Sequence, residues 1–188
     1  MAPGASTPEK TAPAPLELVQ RFVNSADLES GEDELAGPDQ LRAWLAERDL
    51  IGRDERVSRA DFERAIDVRE GLRALLMANN GMEADEDRVT RLNRASERAG
   101  LRVAFADAEP SLTPESKGVD GAIGSLLAIV AGAVEQGSWQ RLKACPRDVC
   151  HWAFFDHSKN RSGGWCLMEV CGNIEKARAF RERKREKR

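Results

Sequence analysis

Apolar residues recur at spacings of three and four over most of the first 138 residues, which predicts a helical body. Ser58 stands three residues before Asp61, and this arrangement is typical of a capped helix start. The last predicted helix of the body is apolar on several faces, so we expect it at the centre of the bundle. The five predicted helices begin at Leu16, Pro38, Ser58, Asp85 and Val119.

Other patterns interrupt this helical periodicity. Residues 101–105 alternate in part, and residues 111–113 follow after turn-forming residues, so we predict one short β-hairpin. Gly71 lies inside the longest helix, where glycine costs about 1 kcal/mol relative to alanine, and therefore indicates close packing of another element. Residues 1–15 are mostly Pro, Ala, Ser and Thr, which predicts a disordered leader. We accordingly expect a helical domain over 16–138 and a separate C-terminal unit over 139–188.

All four cysteines fall in the C-terminal unit, in two pairs that share C-x4-C spacing. They are Cys145, Cys150, Cys166 and Cys171. Two such pairs suit one tetrahedral Zn²⁺ with four thiolate ligands. The alternatives are two disulfides, as in a small secreted scaffold, and four reduced buried cysteines. The chain shows no signal-like N-terminal pattern and has no other cysteine, which favours zinc. His151 and His157 could replace a ligand, but four cysteines suffice.

Aromatic and polar residues lie between the two cysteine pairs. We expect Trp152, Phe154 and Trp165 to pack over the metal as a small core rather than to stack on bases. Asp156 is expected to brace the following loop through backbone bonds. A unit of this size buries little apolar surface, so zinc should supply its folding energy. Loss of the metal is then expected to unfold residues 145–171 and to leave the helical domain folded.

The charge of the chain is unevenly distributed. Residues 139–188 contain 13 Lys and Arg against 6 Asp and Glu, a net charge of +7, although the whole chain carries −3. An acidic body with a basic tail is typical of a protein that binds nucleic acid. The alternative is a solvated helix in which glutamates pair with arginines. The candidate nucleic-acid contacts are Lys143, Arg147, Lys159, Asn160, Arg161, Lys176, Arg178, Arg181 and Arg185.

The C-terminal motif resembles the CGNR zinc-finger family, which has C-x4-C, an aromatic stretch, D-x-S-x-N-R, W-C-x-M-x-x-C-G-N and a basic helix. In this chain these correspond to residues 145–150, 152–155, 156–161 and 165–173, with Ile174 where the family name expects arginine. Residues 18–30, 41–50 and 69–80 resemble the helical ABATE domain that accompanies such fingers. The resemblance implies a treble-clef-like zinc finger that binds DNA, and the role of a stress-induced transcription regulator.

The resemblance to the ABATE domain also implies that the helical domain binds a small-molecule effector. Phe22, Asn24 and Arg69 match its positions and would line an effector pocket. The alternative for Arg69 is an ion pair with a carboxylate from another element, because no acidic residue lies three or four places away.

No enzyme motif accompanies these features. The chain lacks a nucleophile elbow, a phosphate loop and H-E-x-x-H, and a four-thiolate zinc has no open coordination position. The apolar run 123–134 is too short to cross a bilayer, and four reduced thiols fit the cytoplasm. The sequence therefore predicts a mainly α, cytoplasmic DNA-binding regulator, either monomeric or homodimeric. The alternatives are a protein–protein adaptor, or a small-molecule-binding protein or enzyme with its site in the helical domain.

Overall fold

The computed structural model describes residues 10–106 and 109–186, which are mainly helical. The helices are α1 (Leu16–Val23), α2 (Pro38–Ala46), α3 (Arg59–Ala78), α4 (Glu86–Ala99), α5 (Gly118–Glu135) and α6 (Asn173–Glu186). The strands are β1 (Ala26–Asp27), β2 (Glu32–Asp33), β3 (Leu101–Ala106), β4 (Glu109–Pro114), β5 (Leu142–Ala144) and β6 (Ala153–Phe155). In this described part the strands form three antiparallel pairs, β1–β2, β3–β4 and β5–β6.

The longest helix, α3, begins and packs as its sequence predicts. The Ser58 hydroxyl accepts from the Asp61 N–H at 3.1 Å, and the Asp61 carboxylate accepts from the Ser58 N–H at 2.8 Å, which completes a capping box. At Gly71, an added Cβ would lie 2.5 Å from the Cβ of Leu92 on α4. Glycine is therefore required where α4 packs closely against α3, and the prediction of close packing at this position is confirmed.

Helix α5 contacts α1, α3, α4 and β4. An added Cβ at Gly124 would lie 2.6 Å from the Cβ of Pro114, so this end of α5 lies directly against the β3–β4 hairpin. By length and composition alone α5 could cross a membrane, yet 39% of it is buried against the rest of the protein. One side of the helix lies in the core, and on the other side Leu127, Ile129 and Val130 are only partly buried.

Part of the predicted leader is packed. Ala12 is 3% exposed, and its N–H donates to the Gln20 side chain at 2.7 Å. The Gln20 amide in turn donates to the Lys10 carbonyl at 3.0 Å. The Gln20 side chain thus bonds to the backbone of Lys10 and Ala12, so residues 10–15 of the predicted leader are packed against α1. Residues 1–9 of the predicted leader lie outside the described residues.

The C-terminal unit is joined to the helical body by half-buried amide side chains. The Asn79 amide, at the end of α3, donates to the carbonyls of Trp139 and Leu142 at 2.9 Å each. The neighbouring Asn80 amide donates to the carbonyls of Ala144 and Gly164, also at 2.9 Å. These bonds hold both sides of the finger against the end of α3.

Candidate metal centre

The four cysteines converge on one point. Their sulfur atoms all lie within 4.8 Å of one another, and Cys166 Sγ is 3.6 Å from both Cys150 Sγ and Cys171 Sγ. A tetrahedral Zn²⁺ with Zn–S bonds of about 2.3 Å holds its ligands about 3.8 Å apart. All four thiols, including that of Cys145, are free and buried. The spacing fits one Zn²⁺, and the disulfide alternative does not describe this chain.

Two different turns supply the ligands. Cys145 and Cys150 flank the β5–β6 connection, where the Cys150 N–H donates to the Arg147 carbonyl at 2.9 Å and closes a tight turn. Cys171 lies in a single π-helical turn, Met168–Gly172, that runs directly into α6, and Cys166 precedes this turn. The first cysteine pair therefore lies on a hairpin, and a helix follows directly after the second pair. This is the predicted treble-clef-like order.

The π-helical turn leads directly into α6. Asn173 is the first residue of α6, and its amide donates to the Glu169 carbonyl at 3.1 Å, one turn back. A Cβ at Gly172 would lie 2.5 Å from Met168 Sδ, so glycine permits this close approach.

Aromatic residues cover the sulfur cluster. Phe154 is fully buried beside the four cysteines, and the half-buried rings of Trp152 and Trp165 pack against the same cluster. The packing role predicted for these three residues is confirmed. Neither histidine belongs to the cluster: the His157 ring donates to the Thr11 carbonyl at 2.8 Å, and the His151 carbonyl accepts from Arg73 at 3.3 Å.

Four thiols packed this closely cannot all ionise without a cation. Hydrogen bonds from Cys150 and Cys166 lower the pKa of Cys145 to about 2, whereas the contact with Cys145 raises the pKa of Cys150 to about 12. A bound Zn²⁺ would displace the remaining protons, because metal coordination deprotonates a thiol outright. Four thiolates and Zn²⁺ carry a net charge of −2.

Arg147 offsets part of that negative charge. Its guanidinium lies 3.8 Å from Cys171 Sγ and donates to the Glu29 carboxylate of the helical body at 2.8 Å. These contacts, with Glu29 first, raise the pKa of Arg147. The side chain is only 15% exposed. Arg147 therefore supports the metal site and links it to the β1–β2 turn, and is poorly placed for the predicted nucleic-acid contact.

Lys143 is likewise held inside the protein. Its ammonium group donates to Asp156 at 2.7 Å and to the carbonyls of Arg161 and Gly163 at 2.8 Å each. Asp156 also accepts from the N–H groups of Ser158 and Gly163 at 3.0 and 2.9 Å, so it braces the loop as expected. Burial would raise the pKa of Asp156, but the bonds from Lys143 and Ser158 prevail and hold it at about 2.

The other predicted nucleic-acid contacts are accessible. The exposed members are Lys159, Asn160, Arg161, Lys176, Arg178, Arg181 and Arg185. No residue of α6 is buried within its described part. Arg178, Arg181, Lys184 and Arg185 line one cleft of about 430 Å³, together with Glu182, which accepts from Arg178 at 3.2 Å. We call these four cations the basic face of α6.

The three predicted effector residues do not meet in one pocket. Phe22 is 1% exposed and packs in the core, with its ring centroid 5.5 Å from that of Trp44. The Asn24 amide is occupied by the backbone of Ala153 and borders a polar cavity at the edge of the finger. Arg69 borders a different cavity and pairs with a carboxylate from another element, as the alternative for this residue expects.

Arg69 belongs to a buried charge network that the sequence analysis missed. It donates to Asp33 at 2.7 Å and to Glu70 at 2.9 Å. Arg73, which is 0% exposed, donates to Glu70 at 3.1 Å and to the Val23 carbonyl at 2.8 Å. Burial lowers the pKa of Arg73, opposed by Glu70. The sequence feature that could have revealed this network is the position of Arg69 within the apolar stripe of the long helix α3.

Two family models match the chain and together cover most of it. Residues 16–135, more than half of the chain, match ABATE, whose description is "putative stress-induced transcription regulator". Residues 141–184 match the CGNR zinc finger, and this range contains the metal centre and most of α6. No curated protein matches the chain. Both families are of regulator and zinc-finger type rather than enzyme families. The chain belongs to the ABATE family and ends in a CGNR zinc finger.

Proposed function

We propose that this protein is a cytoplasmic, DNA-binding transcription regulator whose helical body receives a small-molecule signal. One observation carries the proposal: the basic face of α6 extends from the metal centre and is not covered by the rest of the protein. Reduced thiols at the metal centre favour a reducing compartment such as the cytoplasm. The family description supports a regulator.

Helix α6 is unusual because it buries none of its described side chains. A helix that is polar on all sides needs support from side-chain pairs or from a partner. Arg178 makes such pairs with Glu182 at 3.2 Å and Glu175 at 4.0 Å. By contrast, Arg181 and Arg185 make no salt bridge to a described residue. These cations are therefore free to contact phosphates, which bind without regard to sequence.

The metal centre determines where α6 points. Cys171 lies in the turn that precedes the helix, so zinc coordination would hold this turn, from which α6 continues, against the cysteines of the β5–β6 connection. The exposed side chains of Lys159, Asn160 and Arg161 form a second polar segment on the finger. Base-edge contacts would come from this loop, because arginine suits guanine and asparagine suits adenine.

The test is binding of the zinc-loaded full chain to a random DNA duplex by fluorescence anisotropy over a series of salt concentrations. We expect affinity that falls steeply with salt, because counterions are released from phosphates. The triple variant R181Q/K184Q/R185Q should reduce the log–log slope by about 2–3, since each lost phosphate contact contributes about 0.9. The matched control is R56Q/R94Q/R102Q, which removes three exposed cations of the helical body, outside the finger and the basic face.

Two results would overturn the proposal. One is the absence of binding at low salt by protein that contains stoichiometric zinc. The other is an equal loss of slope in the two variants, which would mean that charge alone and not the basic face matters.

A protein–protein adaptor is the second candidate, and one observation favours it. Val170, Ile174 and Phe180 are 41%, 42% and 62% exposed along the π-helical turn and α6. Apolar groups of this kind suit a protein surface better than phosphates. Retention of the chain by an acidic protein, unaffected by competing DNA, would favour the adaptor.

A further inference from the structure

An apolar groove lies between α5, β4 and residues 13–16, and none of the predicted effector residues Phe22, Asn24 and Arg69 lines it. We propose that this groove is the effector site, and that it binds an apolar small molecule with a single positive charge at one end. The inference rests on the proposed function in naming the ligand an effector, but the binding itself is testable without DNA.

The groove has the size and walls of a small-molecule site. Its volume is about 760 Å³, within the range of about 300–1,000 Å³ typical of ligand pockets. Ala128, Ile129 and Gly132 of α5 form one wall, and Leu112 and Thr113 of β4 contribute to another. The ligand would therefore lie between a helix and a hairpin, with residues 13–16 on the third side.

The groove opens beside the second half of α5. An added Cβ at Gly124 would meet Pro114 at 2.6 Å, whereas an added Cβ at Gly132, about two turns later, would have nothing within 4 Å. Most residues of α5 from Leu127 onward are only partly buried, although the helix is apolar enough to span a membrane. Val103, which also lines the groove, is 56% exposed, so apolar surface remains accessible there.

The polar groups of the groove define the ligand further. Glu135 is the single charged residue among the described residues that line it, and it makes no salt bridge to a described residue. A carboxylate at one end of an apolar groove attracts a cation and repels an anion. The Thr113 hydroxyl has no hydrogen-bond partner in the described chain and is shielded from solvent. Rotation about χ1 would exchange it with the methyl group, so it could meet a polar atom of the ligand.

Both segments that border the groove lead to the finger. Ser138 lines the groove and precedes Trp139, whose carbonyl is held by Asn79. Pro13 lines it on the other side, two residues after the Thr11 carbonyl that accepts from His157. A ligand in the groove therefore contacts two direct connections between the body and the finger, which is the route by which it would influence α6.

Three eight-carbon probes that differ only in their polar group test the site on the zinc-loaded full chain. We expect octylamine to bind most tightly by calorimetry, 1-octanol less tightly, and octanoate at least about tenfold more weakly than octylamine, because of Glu135. The variant G132L should fill the groove and abolish binding of all three probes. The control T90L adds the same side chain to the exposed face of α4 and should bind as the native protein does.

The variant E135Q distinguishes the contribution of the Glu135 charge to binding from that of the apolar walls of the groove. It should lose the preference for octylamine and keep the affinity for 1-octanol. Octanoate binding as tight as octylamine would overturn the proposed ligand class. Unchanged binding by G132L would overturn the site itself.

Sedimentation distinguishes a ligand site from a dimer interface. DNA binding, measured beside probe binding, tests the regulator function separately from the ligand site. If sedimentation shows a dimer that G132L dissociates, the groove is occupied by a second copy of the chain and the ligand site is overturned. Octylamine binding by a protein that does not bind DNA would overturn the regulator function but retain the site. DNA binding without any probe binding would overturn the site alone.

Discussion

Asn24 of the helical body pairs with both backbone polar groups of Ala153 in the zinc finger. The Asn24 carbonyl oxygen accepts from the Ala153 N–H at 2.7 Å, and its amide donates to the Ala153 carbonyl at 2.9 Å. The flanking Trp152 carbonyl and Asp156 N–H bond towards β5, so Ala153 presents its groups on the opposite edge. A side-chain amide thus completes β6 as a neighbouring strand would.

Replacing Asn24 with alanine should destabilise the joined body and finger. The Ala153 N–H would lose its partner, which costs about 1–3 kcal/mol when such a group stays buried. The Ala153 carbonyl would keep its bond from Gln20 at 3.0 Å. Urea denaturation of the zinc-loaded protein measures the effect, and N93A, on the exposed face of α4, is the control. A change no larger than that of N93A would contradict the prediction.

Removal of zinc should weaken the helical body as well as the finger. Sequence reasoning predicts that the body stays folded, but the Asn24 amide donates to the Ala153 carbonyl and the Asn80 amide donates to the Gly164 carbonyl. Both carbonyls belong to residues 145–171, so unfolding of that segment would remove these bonds and leave the buried Asn24 amide unsatisfied. We expect C145S, or chelated protein, to show reduced hydrogen-exchange protection at the end of α3. Full protection there, with only the finger exchanging, would support independent folding instead.

Lys143 should act on stability and not on DNA affinity. Its ammonium group is buried against Asp156, and removing one partner of such a pair typically costs about 3–5 kcal/mol. The variant K143M should therefore unfold at a lower denaturant concentration and yet bind DNA, where folded, with an unchanged salt slope. A reduced slope would restore Lys143 to the list of phosphate contacts.

Asp156 should make the finger sensitive to acid. Its pKa in the folded protein is about 2, below the usual value, so the unfolded chain takes up its proton first as pH falls. The stabilisation is complete above the unfolded pKa of about 4 and disappears as pH falls towards 2. The difference in unfolding free energy between the native protein and D156N should be constant from pH 7 to 5 and should shrink below about pH 4. A difference that grows with acidification would contradict this assignment.

Ile174 provides a gain-of-function test of the basic face. It is 42% exposed and lies four and seven residues before Arg178 and Arg181, on the same side of α6. The variant I174R should raise the affinity for duplex DNA and increase the salt slope by up to about 0.9. The variant I174Q controls for the loss of the apolar side chain. Weaker DNA binding by I174R would favour a protein partner for this surface.

The sequence by itself determined the metal ligands, the helical periodicity and the basic character of the last helix. Cysteine spacing is a local property, and each C-x4-C pair forms within one short turn. The capping box at Ser58 and the close approach at Gly71 likewise follow from local rules, and the structure confirms both. The distribution of charge was equally visible, because it depends on composition alone.

The tertiary structure decided which polar side chains are free to bind a partner and which are occupied within the protein. Lys143 and Arg147 look like the other basic residues of the finger, but Asp156 and Glu29 bind them. Glu29 is more than one hundred residues from Arg147, and no local pattern connects them. The roles of Asn24 and the groove beside α5 are also relations between distant segments. Hydrogen-bond satisfaction and packing across such distances depend on the whole fold, which residue spacing does not encode.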